Sequence, residues 1–245
     1  MSVRDPGPPA RLPGLSLVLP VHNEAENLPW ILDRAAEVLP AMAERVEVVV
    51  VDDGSQDGSG DLARSRSAEL GLDLQLVRHE QKSGYGITVA DGLRAAKLDW
   101  VGFTDADGQF DIADFSLLAA HVGEADLVAG WRIERADASM RSVVSGVYNV
   151  LLRTLYHLNV RDVNCAMKLM PRRFLESIEL DNRSAVLNAE LYLKARAGGW
   201  RTMQVGVPHH PRRAGVRSGA RPRAILRAIK ELVLYRFRFR GAVGR

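Results

Sequence analysis

Three short apolar runs each break off into a polar cluster, and that pattern restricts the chain to a narrow set of folds. Leu15 to Leu19 (LSLVL) ends at Pro20 and is followed by His22-Asn23-Glu24. Val46 to Val51 gives way to Asp52-Asp53-Gly54-Ser55, and Trp100 to Phe103 leads into Asp105-Ala106-Asp107-Gly108-Gln109. The runs are too short for helices and lack polar alternation, so they predict strands buried on both faces. Helical spacing fills the gaps. Residues 24–43 carry Leu28, Ile31, Leu32, Ala35, Ala36 and Leu39 on one face, and Asp61 to Leu70 stops at Gly71, a suitable C-cap. Helices are also expected over about 87–98 and 112–122, with strands at Leu74–Val77 and Asp126–Ala129. Alternating strands and helices imply an α/β fold with a mostly parallel sheet covered by helices. Ligands of such sheets bind beyond the carboxyl ends of the strands. Glu24, Asp52, Asp53, Asp105 and Asp107 are therefore expected to converge on one edge.

The second half is less regular. A helix is expected over 140–158, a strand or loop over 162–170, a helix from Leu187 to Ala197 ended by Gly198-Gly199, and a strand over 201–207. With 245 residues, 47% hydrophobic and 26% charged, the chain is long enough for a substantial core and is neither disordered nor fibrous. Cys165 stands alone, which excludes a disulfide framework and a Cys-rich zinc site and fits a reducing cytosol. It reads as a small buried apolar residue. No run of about 18 apolar residues predicts a membrane span. Residues 1–14 (MSVRDPGPPARLPG) lack a signal-like apolar stretch and read as a disordered lead-in.

The net charge of +3 conceals a split. Pro208 to Arg245 holds eleven Lys and Arg and one acid, Glu231, for +10, which leaves −7 on the preceding residues. From Arg221 onward, Ile225, Ile229, Leu232 and Val233 keep helical spacing among basic residues. That favours a basic amphipathic segment over 221–245 lying on an anionic membrane, with packing on the body as the alternative. Aromatic interleaving is too sparse for a nucleic-acid partner.

The acid clusters carry the chemistry. Asp105 and Asp107, one small residue apart at a strand end, can share a hard divalent cation that keeps positions for phosphate oxygens. A solvated turn is the bland alternative. Asp52 and Asp53 can hydrogen-bond a base and ribose, or serve as a cap and turn into the next helix. Lys82-Ser83-Gly84-Tyr85-Gly86 suggests a dinucleotide fingerprint but lacks its third glycine, because position 89 is Val, and it follows the third strand.

PVHNEAEN (20–27), VVVDDGSQDGS (49–59), the Gly84/Gly86 segment and FTDADGQFD (103–111) resemble inverting glycosyltransferases of family 2, which have the GT-A fold. VAGWRIER (128–135), Arg141, DVNCAMKLMPRR (162–173), LNAELYLKARAGGW (187–200) and VPHHPRRAGVRSG (207–219) resemble one branch, the dolichyl- or polyprenyl-phosphate sugar synthases and related bacterial enzymes. The resemblance implies one GT-A domain over 15–220, its nucleotide-binding half at about 15–130 and its acceptor half at about 131–220. It implies that Pro20, His22, Glu24 and Asp53 line a nucleoside pocket with Asp52 nearby, and that Asp105 and Asp107 bind Mg²⁺ or Mn²⁺ with help from Gln109. Arg132 and Arg141 match arginines that meet phosphates, and Arg213 and Ser218 match a loop that closes over the donor diphosphate, where His209 and His210 would also sit. Two departures stand out. His22 replaces a common tyrosine, and Gly215-Val216-Arg217-Ser218-Gly219 is one residue longer than the usual Gly-x-Ser-Lys loop and lacks its Lys, for which Arg217 or Arg221 can substitute.

The expected reaction is metal-dependent, inverting transfer of a sugar from a UDP- or GDP-type donor to polyprenyl phosphate. It would occur at the cytoplasmic face of a membrane on which the protein is peripheral, and a homo-oligomer is compatible. Arg212 to Arg221 would face diphosphate and Arg223 to Arg240 lipid headgroups. A lipid phosphate is already ionised near neutral pH. A sugar-hydroxyl acceptor, the in-class alternative, needs a base, for which Glu190 and then Asp162 are candidates. The bland reading of Glu190 is a helix-surface acid paired with Lys194. A metal-dependent nucleotidyltransferase is the rival from another class, and a basic-tailed adaptor leaves the acids unexplained.

Overall fold

The computed structural model describes residues 11–133, 150–181, 186–214 and 229–236. In chain order the elements are β1 (Leu15–Val21), α1 (Leu28–Met42), β2 (Val46–Asp53), α2 (Ser59–Leu70), β3 (Leu74–His79), α3 (Tyr85–Ala95) and β4 (Trp100–Phe103). A 3₁₀ turn (Ile112–Asp114) runs into α4 (Phe115–Ala119). Then follow β5 (Leu127–Arg132), β6 (Lys168–Pro171), α5 (Arg172–Glu176), α6 (Leu187–Ala197) and β7 (Thr202–Val207). Residues 150–156 and 229–236 are also helical.

The strands form one seven-stranded sheet in the order β3-β2-β1-β4-β6-β5-β7. All pairings are parallel except those of β6, which runs antiparallel to β4 and β5. The two apolar runs of β1 and β2 are buried along almost their whole length, as strands covered on both faces must be. Pro20 lies inside β1, where a central strand normally excludes proline. The pairing explains the tolerance. β4 pairs only as far as Val18 opposite Phe103, and Val18 O accepts from Thr104 N. Two residues on, Pro20 turns its missing donor to the same side, past the end of β4. Helix α3 lies so close to the sheet that a Cβ at Gly92 would stand 2.3 Å from Val18 Cγ1, which only glycine allows.

Several boundaries depart from the sequence reading. α1 begins at Leu28, because Pro29 sets the first turn and residues 24–27 form a bend. Ala36 is only half-buried. Asp52 and Asp53 are the last two residues of β2, not of the turn after it. β5 is longer than expected and carries Trp131 and Arg132 on the strand itself. The helix expected over 112–122 is a 3₁₀ turn followed by five residues of α-helix. The lead-in also needs correction. Leu12 is buried, bridges to Ala43, and exchanges backbone hydrogen bonds with Met42 and Glu44, so residues 11–14 belong to the fold.

The end of the chain is docked where it is described. Leu232 and Tyr235 are buried, Tyr156 Oη donates to Leu232 O, and Arg236 Nε donates to Leu155 O at 3.0 Å. Residues 229–236 thus pack on the body, while Val233 and Leu234 are exposed. The rest of 221–245 lies outside the described residues, as do residues 1–10, Arg141, Arg217, Ser218 and the first part of the helix expected over 140–158.

Candidate functional site

The carboxyl ends of β1, β2 and β4 stand side by side, so the acid clusters that follow them meet at one edge. Each acid has a different environment.

Asp53 is tied inward. Its Oδ1 accepts from His79 Nδ1 at 2.9 Å and Ser83 N at 2.6 Å, and its Oδ2 accepts from Gly84 N at 2.9 Å. Burial opposes its ionisation, but these donors outweigh it and hold the carboxyl below its ordinary value. The Ser83-Gly84 backbone, in the segment that lacks the third glycine of a dinucleotide fingerprint, thus presents its amides to a side chain of this chain. His22 Nδ1 donates to Asp53 O at 2.7 Å, and Asp52 Oδ1 accepts from Ser55 N at 2.9 Å.

Glu24 faces the segment after β7. Its carboxylate accepts from Asn27 Nδ2 at 2.6 Å and from Arg212, whose guanidinium also lies 3.7 Å from Asp107 Oδ2. Burial raises the Glu24 carboxyl above its usual range, against the lowering effect of Asn27 and Arg212. Arg212 thus bridges two of the five acids. Arg213, the arginine expected at the diphosphate, stacks over the Trp30 ring at 4.0 Å and lies across Gly108, where a Cβ would come within 3.1 Å of it. His210 N donates to Gln109 O at 2.9 Å, and His209 sets its ring edgewise to Phe110. These contacts put the 208–214 segment directly against the DADGQ turn.

Asp105 is the most perturbed acid. Burial first, and then the charge of Asp107, push its carboxyl up to about 7, although Tyr85, Arg132 and Lys168 pull the other way. Its Oδ1 is buried with no hydrogen-bond partner. Gln109 donates its amide NH₂ to His210 O at 3.2 Å, which leaves the amide oxygen as its donor atom for a cation. The donor set fits a hard divalent ion: an orphaned buried carboxylate oxygen, a second carboxylate two residues on, and an amide oxygen. Among the described residues no three or more His, Cys, Asp or Glu side chains are placed together so that they could hold a metal ion. Two carboxylates with room for phosphate oxygens are what Mg²⁺-type sites use, in contrast to an all-protein cage.

Tyr85, Lys168 and Arg132 stand behind Asp105, and the sequence reading missed most of this set. Tyr85 hydrogen-bonds Asp105 and Asn188, and burial followed by the Asp105 charge drives its phenol well above the ordinary value. Lys168 is fully buried; its Nζ donates to Asn188 Oδ1 at 2.7 Å, to Val163 O at 3.3 Å and to Cys165 O. Burial lowers that ammonium to about 8, against support from Cys165, Asp162 and Asp105. Arg132 makes a bidentate pair with Asp162, Nε to Oδ2 at 2.6 Å and Nη2 to Oδ1 at 2.9 Å. Burial opposes its charge, but Asp162 raises it further. The one available signal for Lys168 was a lysine inside the apolar run CAMKLM.

Glu190 is not at the helix surface. It is fully buried and lies 3.2 Å from Lys194, as the bland reading anticipated, but it also accepts from Asp181 N at 2.8 Å and from Tyr235 Oη at 3.2 Å. Those partners belong to α6, to the segment before it and to the 229–236 helix. Cys165 is buried, and burial raises its thiol to about 11, so it carries no thiolate at neutral pH.

The fold is of the GT-A class. Crystal structures of glucosyl-3-phosphoglycerate synthase from Mycobacterium tuberculosis, one in complex with Mn²⁺, UDP and glucosyl-3-phosphoglycerate, superpose with a TM-score of 0.68 at 19% identity, covering 95% of this chain and 81% of that one. A second, with Mn²⁺, UDP-glucose and phosphoglyceric acid, gives 0.70 at 21% identity, over 91% and 79% of the two chains. The chain belongs to glycosyl transferase family 2, whose model matches residues 16–179. It is 32% identical over 205 residues to an uncharacterized glycosyltransferase of Mycobacterium bovis, covering 82% of this chain and 87% of that protein. It is 26% identical to a dodecaprenyl-phosphate galacturonate synthase of Rhizobium johnstonii over 87% of this chain. It is 27% identical to an undecaprenyl-phosphate 4-deoxy-4-formamido-L-arabinose transferase of Aeromonas hydrophila over 82% of this chain. The chain spans 64% and 61% of the length of these last two.

Proposed function

We propose that this chain transfers a sugar, with inversion, from a UDP- or GDP-sugar to a polyprenyl phosphate at the inner face of a membrane. The observation that carries the reading is the Asp105–Asp107 pair at the end of β4, with a buried carboxylate oxygen lacking a partner and the Arg132–Asp162 pair close enough to influence it. Asp105, Asp107 and the amide oxygen of Gln109 would hold Mg²⁺ or Mn²⁺. When bound, that ion offsets charge on the leaving diphosphate.

The chain's own groups do the rest. His22, Glu24 and Asp52 would meet the nucleoside at the ends of β1 and β2, beside Pro20. Asp53 would position the 83–84 backbone and not touch the ligand, since its oxygens are already engaged. Arg132 would present its remaining edge to phosphate while Asp162 fixes its plane. Arg141 and Ser218, outside the described residues, would complete the phosphate contacts, and Arg212 would exchange Glu24 and Asp107 for diphosphate oxygens as the donor enters.

A lipid-phosphate acceptor fits because neither candidate base is set up for one. Glu190 bonds Lys194, Tyr235 and an amide, and both oxygens of Asp162 accept from one edge of the Arg132 guanidinium. The two polyprenyl-phosphate relatives point the same way. Among the described residues no helix is long and apolar enough to cross a membrane. Family membership removes the nucleotidyltransferase reading. Radiolabelled nucleotide sugars offered with polyprenyl phosphate should give organic-extractable label that chelator abolishes. Label confined to the aqueous phase would overturn the lipid acceptor in favour of a sugar hydroxyl.

A further inference from the structure

Lys168 opens β6 opposite Phe103, the last residue of β4, and is fully buried. An ammonium there is costly unless every donor is met, and an apolar side chain would fill the space without that demand. All three donors are met. Nζ donates to Asn188 Oδ1 at 2.7 Å, to Val163 O at 3.3 Å and to Cys165 O. With no donor left over, Lys168 can hydrogen-bond toward the acid-lined edge only through a neighbour.

Asn188, on α6, is that neighbour. An ammonium cannot accept, so the atom facing Nζ is the amide oxygen, and the NH₂ group is left for Tyr85. Tyr85 is the first residue of α3 and hydrogen-bonds both Asn188 and Asp105. Its Oη accepts from the amide, and its proton goes to the carboxylate. Asp105 Oδ1 has no hydrogen-bond partner, so the phenol is bonded to Oδ2. The result is a row of donors that all point one way, from ammonium to amide to phenol to carboxylate. Members of such a row polarise and strengthen one another. The start of α3 is itself held, because Gly84 N donates to Asp53 Oδ2 at 2.9 Å.

We propose that Lys168, Asn188 and Tyr85 are positioning residues that pin Asp105 by Oδ2 and so present Oδ1 to a divalent cation. The inference rests on the reading of Asp105 and Asp107 as cation ligands. A ligating carboxylate that loses the hydrogen bond holding it loses about 10–100-fold in metal affinity. Asn188 sets the direction of the row. A carboxylate in its place would accept from both neighbours and draw the Tyr85 proton away from Asp105.

The test is titration of Mn²⁺ alone into the full chain, with free ion counted by electron paramagnetic resonance and thermal unfolding measured alongside. Tyr85→Phe removes one oxygen and should bind Mn²⁺ at least about tenfold more weakly than wild type at an unchanged unfolding midpoint. Asn188→Asp keeps the side chain's size and its bond to Lys168, and adds a negative charge that by itself would favour a cation. It should nevertheless weaken binding, which a merely structural residue would not do. Lys168→Met releases the Asn188 amide and should weaken binding likewise; the other two variants carry the test should it not fold. Asp107→Ala is the control for the cation site. Binding lost in Asp107→Ala but kept at wild-type strength in Tyr85→Phe and Asn188→Asp overturns the positioning role and leaves the cation site standing. No binding by wild type, or equal binding by Asp107→Ala, overturns both. Affinity that falls only together with the unfolding midpoint overturns the positioning role in favour of a structural one.

Discussion

Asp53, which the resemblance places in a nucleoside pocket, braces the backbone beside that pocket. Its carboxylate gathers a histidine from the end of β3 and two amides from the start of α3, and so fixes the loop that borders the acid-lined edge. Because these donors hold its pKa below the ordinary value, its contribution to stability is present above the unfolded-state pKa of about 3.9 and is lost as pH falls through the folded value. Asp53→Asn should therefore cost about 1–3 kcal/mol at pH 7, with the difference from wild type shrinking at pH 3.5. Urea unfolding at the two pH values measures it, and an equal difference at both would contradict the ionic role. The acids themselves were legible in sequence, because each directly follows an apolar run. Their partners were not. Nothing local to Tyr85, Lys168 or Asn188 announces that three distant segments meet behind Asp105.

At the scale of elements, periodicity located every strand of the first half, and the errors fell at ends. Strands β2 and β5 run two or three residues further than their apolar runs, since neighbours supply backbone partners regardless of side-chain polarity. That extension is what places Asp52, Asp53 and Arg132 on rigid backbone. The helix at 229–236 was readable as amphipathic, but whether its apolar face meets membrane or protein was not, because both are apolar surroundings. Leu232 and Tyr235 bury against the body, and Tyr235 reaches Glu190. Leu232→Ala should cost about 2–5 kcal/mol in a soluble unfolding assay without lipid. A change below about 0.5 kcal/mol would mean the helix is not docked in solution.

For the molecule as a whole, the division of charge follows the division of labour. Acids collect where β1, β2 and β4 end, and the first basic residues after β7 lean directly into them, with Arg212 between Glu24 and Asp107. The sequence reading assigned that basic segment to diphosphate; in the structure an arginine lies on the acids that would receive the donor and its cation. On the proposed function, ligand entry would exchange these ion pairs for contacts to diphosphate, and a cation held by Asp105 and Asp107 would strengthen nucleotide binding. The most direct measurement is calorimetric titration of UDP and GDP into the chain with Mn²⁺ and again with chelator, for wild type and Asp107→Ala. One of the two nucleotides should bind wild type only with Mn²⁺, and at least about tenfold more weakly to the variant at an unchanged unfolding midpoint. Equally tight binding in chelator, or by Asp107→Ala, would contradict a metal-assisted nucleotide-sugar site.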